Sequence, residues 1–476
     1  MEKKIIYCLV LAGVFCLLAV SDIVVANQTE DTPVAKRDMY SNHYSLGGRH
    51  YRAEICTTPI NYMTNNGEWK KIDTTITASS TGKCLFENTT NVINSFYDSD
   101  RVVLYREGKN YLSFSPESIS VISQDNSETI ISTPLEGNLT KTSNNVVTYS
   151  NKFSGIHETY TISTTGIKHN IILETPLSQL QPESWFAYNS SLFLAERLEL
   201  FVNGIKQEGD FETSSAIEIR STSGELRYVI PKPFAFENEE KPFHSTGTIF
   251  CKYRVIKTNS GYKLSILTPT NWLVDNMRRY PVTIDPTIEI DNQTWASLCS
   301  DEYLEYFFQV SKDTWFDSET RGALKWDITS ITDGSTINSV GLRLVCEMEP
   351  FMPLDVGVWD FTQSNPPAPY TAYPGAAVFN DLGGGTQYTS FTCYDYGPYP
   401  DEGEFFALAR QAATHLQANL PDTYNWFQVG LSILDNMDDS IEFSMGGIFG
   451  DPHVLEVDYT EGGGPGPEPG EPGTLS

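Results

Sequence analysis

Basic residues are scarce in this chain: 32 Lys and Arg stand against 61 Asp and Glu, for a net charge of −29 over 476 residues. A polyanion of that kind is repelled by nucleic acid and by bare anionic lipid, so neither is an expected partner. Histidine is also sparse, at seven residues, and no H-E-x-x-H, G-x-S-x-G or P-loop pattern occurs. The metalloprotease, serine-hydrolase and nucleotide-hydrolase signatures are therefore missing. No C-x-x-C pair is present, which argues against a zinc site or a redox dithiol. Past residue 26 there is no second apolar run long enough to span a bilayer, so no membrane span is expected in the mature chain.

What is present begins with Lys3 and Lys4, an apolar run from Ile5 to Val20, and small residues ending at Ala26. That order is a secretory signal peptide over residues 1–26, with an uncleaved anchor as the other reading. Removing it takes away Lys3, Lys4, Glu2 and Asp22, so the mature chain keeps the charge of −29. An exported, extracellular or cell-surface protein follows. Six cysteines remain outside the leader: Cys56, Cys84, Cys251, Cys299, Cys346 and Cys393. In an oxidising compartment they are compatible with disulfides, Cys56 with Cys84 and Cys346 with Cys393 being the local possibilities. Buried thiols are the alternative. Five N-x-[ST] sequons, at Asn27, Asn88, Asn138, Asn189 and Asn292, lie in polar surroundings.

A chain of this length exceeds one hydrophobic core, and its texture after residue 40 is that of strands. Arg101–Tyr105, Val146–Tyr149, Glu158–Ile162 and Lys168–Leu173 are runs rich in β-branched and aromatic residues. The dipeptides Asn66-Gly67, Glu107-Gly108, Thr165-Gly166, Ser223-Gly224 and Ser260-Gly261 read as hairpin turns that supply positive φ. Closely spaced strands without intervening helices predict an all-β protein: two successive antiparallel β-sandwich regions. One segment differs. In Glu404–Leu420, Phe405, Leu408, Ala409, Ala412, Leu416 and Leu420 approach i, i+3, i+4 spacing, predicting one helix on the second domain that carries His415 as an ordinary helix residue.

Asn61-Tyr62, Gly67-Glu68-Trp69-Lys70-Lys71-Ile72-Asp73, Val146-Val147-Thr148-Tyr149, Gly224 to Pro233 and Arg279-Tyr280-Pro281-Val282-Thr283-Ile284-Asp285-Pro286 follow one another in an order that resembles a β-rich region of wall-associated and Rhs-like surface proteins. Arg321-Gly322-Ala323-Leu324-Lys325-Trp326-Asp327-Ile328, Ile337 to Leu344, Leu354 to Trp359 and Pro452 to Tyr459 resemble a DNRLRE-type domain, a β-sandwich related to the disaggregatase repeat. Trp326 stands where that pattern usually has Phe, and residues 361–425 match it poorly. The resemblances imply a β-rich surface-protein domain over 45–286 and a DNRLRE-like β-sandwich over 287–460. Residues 27–44 form a flexible lead-in, and the Gly/Pro/Glu-rich 461–476 a linker or tail. In the second region Leu324, Trp326 and Ile328 alternate with Lys325 and Asp327, which gives the strand one apolar face. Arg321 is placed to pair with a carboxylate such as Asp327.

Candidate binding residues are the tyrosines of two Pro/Gly-punctuated segments, Tyr370 and Tyr373 in the first and Tyr394, Tyr396 and Tyr399 with Asp395 in the second. Exposed rings stack on the C–H faces of pyranoses, with Asp395, Asp355 or Asn380 meeting hydroxyls. The other reading is that they cover the core beneath loops. Asp435, Asp438 and Asp439 are candidate calcium ligands, or a bare acidic turn. The function expected is non-enzymatic: binding or presenting polysaccharide in an envelope or matrix. The alternatives are a structural spacer or adhesion module and a polysaccharide-degrading enzyme, which would need two carboxylates facing across a cleft.

Overall fold

The computed structural model describes residues 33–80, 82–106, 110–136, 138–237, 247–290, 295–301, 308–313, 318–348, 353–362, 374–393, 404–420, 425–435, 439–443 and 452–462. Residues 1–26 lie outside them. The described chain is almost all β and antiparallel, as expected. No described helix is long and apolar enough to cross a membrane.

Two hydrophobic cores organise the strands. The first lies between a ten-stranded and a twelve-stranded sheet and draws on residues 76–290, with Tyr97, Leu104, Phe114, Tyr160, Ile171, Phe186, Ile219 and Ile284 among its buried members. The second joins a six-stranded sheet to an eight-stranded one around Trp326, Leu342, Val356, Phe427 and Val457. Strand alternation explains both: in Ile156–Ile162 and Ile217–Ser221 every second residue is buried, the period-two pattern of a sheet with one face packed. The Val282–Asp285 strand closes the first core against Gly166–Leu173.

The second core contains strands from the beginning of the chain. Ser41–Gly47 pairs with His50–Cys56, and His50–Cys56 pairs through its whole length with Val454–Thr460, from His50 opposite Thr460 to Cys56 opposite Val454. Residues 45–56, grouped by the sequence reading with the 45–286 region, therefore lie in the six-stranded sheet, and Ala53 and Ile55 are fully buried in the second core. Polar contacts follow the same pairing. The Arg52 guanidinium donates to both Asp458 carboxylate oxygens at 2.7 and 3.2 Å, and His43 Nδ1 meets the Tyr459 hydroxyl at 2.8 Å.

Several expectations are corrected. The 404–420 segment is not one helix: Glu404–Ala407 is a strand on Thr336–Leu344, and the helix runs over Arg410–Asn419. The Phe405 ring covers Gly341 too closely for any Cβ there, so the strand packs where helix spacing predicts a turn. A six-residue helix, Ala376–Asp381, and a short Thr270–Leu273 turn of helix join it. Gly166 does not supply positive φ; it lies in a strand where the Ile288 carbonyl approaches too closely for any Cβ. Arg321 pairs with Glu319 at 2.9 and 3.0 Å, not with Asp327, which caps Thr329. Two residues along a strand return to the same face, whereas six lie about 20 Å away. The six cysteines outside the leader are free thiols in this structure, with Cys56, Cys251, Cys299 and Cys393 buried. Burial pushes the Cys251 thiol up to about 12 and the Cys56 thiol further.

Candidate ligand-binding face

Tyr370, Tyr373, Tyr394, Asp395, Tyr396, Tyr399 and Asp438 lie outside the described residues. Their described neighbours are engaged in the fold. Asp355 accepts a hydrogen bond from the Thr392 hydroxyl, and its backbone N–H donates to Asp435 Oδ2 at 2.6 Å. Asp439 is buried and accepts from the Ser440 N–H at 2.8 Å. One carboxylate oxygen of Asp435 and one of Asp439 are thus committed to backbone donors. Among the described residues no group of three or more His, Cys, Asp or Glu side chains is arranged to hold a metal ion.

Two titratable clusters have the composition of catalytic sites. In the first core, Glu158 accepts from the hydroxyls of Tyr188 at 2.7 Å and Tyr160 at 3.0 Å, and His169 Nε2 stands 3.5 Å away, its ring stacked on Tyr160 at 4.3 Å. Burial, and then the Glu158 charge, hold both tyrosines well above the ordinary phenol range. Glu158 is 1% exposed and His169 4%, so no substrate reaches them. The Glu158 carboxylate is satisfied by the two tyrosine hydroxyls, while His169 Nε2 is buried without a hydrogen-bond partner among the described residues. The second cluster joins Tyr388, whose hydroxyl lies 2.5 Å from His415 Nδ1, to Asp360 at 4.0 Å from the same nitrogen. Asp360 is held in turn by the Thr386 N–H. The acidic neighbour of His415 is Asp360, supplied by the 354–360 strand. Burial raises the Tyr388 hydroxyl, which makes it a poor nucleophile.

A feature that the sequence reading missed is on the outer face of the ten-stranded sheet. Val102–Arg106 and Asn110–Ile122 pair antiparallel in a register that sets Tyr105 opposite Tyr111. The same 110–122 strand pairs on its other side with Trp185–Leu194, setting Ser113 opposite Phe193. Leu104, Leu112, Leu192 and Leu194 are buried in the core, so alternation puts Tyr105, Tyr111 and Phe193 on the opposite face, Tyr111 still partly buried against the core's edge. Their rings form a row: Tyr105 and Tyr111 are stacked with centroids 5.2 Å apart, and Tyr111 and Phe193 at 5.8 Å. Phe96 meets Tyr105 edge-on at 5.4 Å. Phe193 is 39% exposed. Gly261 packs its backbone against the Leu192 and Phe193 backbone, where a Cβ would not fit.

The same face continues as a polar surface through Ser113, Ser115 and Ser191. It ends at a closed network in which the Asn189 amide meets Ser118, Ser120 and Glu128, accepts from Ser265, and Lys263 neutralises Glu128. A hydrophobic row flanked by hydroxyls is the composition that sugar recognition requires. Cross-strand aromatic pairs also stabilise a sheet by roughly 0.2–1 kcal/mol each. The Glu107-Gly108 dipeptide, which lies outside the described residues, was the sequence signal that could have revealed the Tyr105/Tyr111 pair; Phe193 joins through a pairing 80 residues away in sequence, which leaves no local trace.

No family model matches the chain. Over 305 residues it is 23% identical to the tRNA3(Ser)-specific nuclease WapA of Bacillus spizizenii and to the tRNA nuclease WapA of Bacillus subtilis strain 168. The alignments cover 60% of this chain and 11% of each relative, so the chain spans about a tenth of the proteins it matches. Among solved structures, PNGF-II aligns over 77% of this chain and 63% of its own at 12% identity, with a TM-score of 0.16 that carries no inference about fold.

Proposed function

We propose that the chain is an exported, non-enzymatic surface module that binds polysaccharide along the Tyr105–Tyr111–Phe193 row. The observation that carries this reading is the row itself: three half-buried or exposed rings held side by side by strand register, beside serine hydroxyls, with Phe193 exposed at one end. A net charge of −29 favours a glycan without acidic groups, since a polyanionic one would be repelled. Asp435 and Asp439 would make that binding depend on calcium, which is read by adding the ion.

The test is co-sedimentation of the mature chain with a panel of neutral and acidic polysaccharides, with and without calcium. Saturable retention by a neutral polymer is the expected result; retention by none would leave the structural spacer or adhesion module as the reading. A nuclease reading is drawn from the names of the WapA relatives, and its test is direct. The mature chain incubated with tRNA is expected to leave it intact, and cleavage that survives repurification would overturn the non-enzymatic proposal.

A further inference from the structure

Three of the five sequons fall within the described residues, and the fold treats them in opposite ways. Asn88 is buried, its side-chain amide donating to the carbonyls of Asp73 at 2.8 Å and Thr75 at 3.0 Å, while the Thr90 hydroxyl of the same sequon donates to Asp73 at 2.7 Å. Asn189 is fully buried, with Ser118, Ser120 and Glu128 around its nitrogen and Ser265 donating to its oxygen at 2.6 Å. Neither nitrogen is accessible to a transferase once the chain has folded. Both belong to the polar framework of the first sandwich, contrary to the surface placement that a sequon suggests.

Asn138 is different. It opens the strand Asn138–Ser143, where Asn138 and Thr140 are both exposed. Residues two apart on a strand share a face, so the amide and the hydroxyl that a sequon-reading enzyme needs are presented on the same side. The strand is also at the limit of its sheet: it pairs with Val146–Phe153 on one side and ends the strand order on the other. Its outer row of backbone N–H and C=O groups is the kind of edge that recruits a second strand.

We propose that Asn138 is a site of N-linked glycosylation in the exported protein. The Asn138 amide nitrogen attacks C1 of a lipid-linked oligosaccharide, the N–C1 bond forms as the bond from C1 to the lipid phosphate breaks, the lipid phosphate leaves with the bonding pair, and the amide proton passes to the transferase. A hydrated glycan at this position stands beside the open edge and obstructs edge-to-edge association, a second consequence of the same placement.

The test uses the folded mature chain, a purified oligosaccharyltransferase and a lipid-linked oligosaccharide, read by site-resolved mass spectrometry. The Asn138 peptide gains the glycan, N138Q and T140A each abolish it there, and the Asn88 and Asn189 peptides remain unmodified until the chain is denatured before transfer. The proposal is overturned if Asn138 is unmodified in the folded chain, whether or not the denatured chain accepts the sugar at that residue, or if Asn88 or Asn189 is modified as readily as Asn138 in the folded one.

Discussion

Replacing Ile55 with alanine is expected to destabilise the sandwich formed by residues far from it in sequence while leaving the neighbouring sequence's own sandwich intact. Ile55 is fully buried among Trp326, Leu342, Leu455 and Val457, on a strand whose partners are Ser41–Gly47 and Val454–Thr460. Truncating a buried Ile to Ala removes its transfer free energy and leaves a cavity, about 2–5 kcal/mol together. For a folding unit of 150–250 residues each kcal/mol lowers the midpoint by about 2–4 °C, which gives roughly 4–20 °C here. A chain with two cores need not unfold in one step, so calorimetry is the assay, with the transitions resolved by a matched control. Ile171→Ala is that control: Ile171 is equally buried, in the first core. The two substitutions should move different transitions. If Ile55→Ala and Ile171→Ala lower the same transition, the assignment of residues 41–56 to the second core fails.

The isolated fragment 287–460 is expected to lack a cooperative thermal transition, because it omits the strand that pairs along all of Val454–Thr460; a sharp transition in that fragment would show that the pairing is dispensable. A second expectation concerns pH. Burial lowers the His43 imidazole from its usual value to about 4, the Asp38 charge only partly opposing it, so the folded state holds the ring neutral between Ser41 and Tyr459. The unfolded chain then binds the extra proton, and stability is fully present above pH ~6.5 and lost as pH falls toward 4, by about 3 kcal/mol at most. Urea midpoints of wild type and His43→Gln across that window read it, and identical pH slopes would refute it. In the ring row, Tyr111→Ala combined with Phe193→Ala removes two pairs worth about 0.4–2 kcal/mol to the sheet together, so the variant should remain folded by circular dichroism.

Much of the fold is legible in residues that act locally. Gly67 and Gly224 occupy positive φ in turns, and Leu324, Trp326 and Ile328 are fully buried, although Lys325, expected on the outer face, is buried too. What escaped the sequence depends on contacts between distant segments. Nothing near His50–Cys56 signals that its partner lies at Val454–Thr460, because the register is set by side chains some 400 residues apart. Asn189 carries the letters of a surface sequon, yet Ser118, Ser120 and Ser265 are delivered to it by neighbouring strands and make it an interior residue. The Glu404–Ala407 strand reads as helix because Phe405 and Leu408 have helical spacing; the competing influence, an edge of Thr336–Leu344 with Gly341 open to receive a ring, belongs to another segment.

The most direct measurement of the proposed function is a calorimetric titration of the polysaccharide retained in the panel into three proteins: the mature chain, its Tyr111→Ala/Phe193→Ala variant, and a Tyr394→Ala/Tyr396→Ala variant. The account predicts at least a tenfold loss of affinity, about 1.4 kcal/mol, in the first variant and near-unchanged affinity in the second. Full affinity in the Tyr111→Ala/Phe193→Ala protein would contradict it.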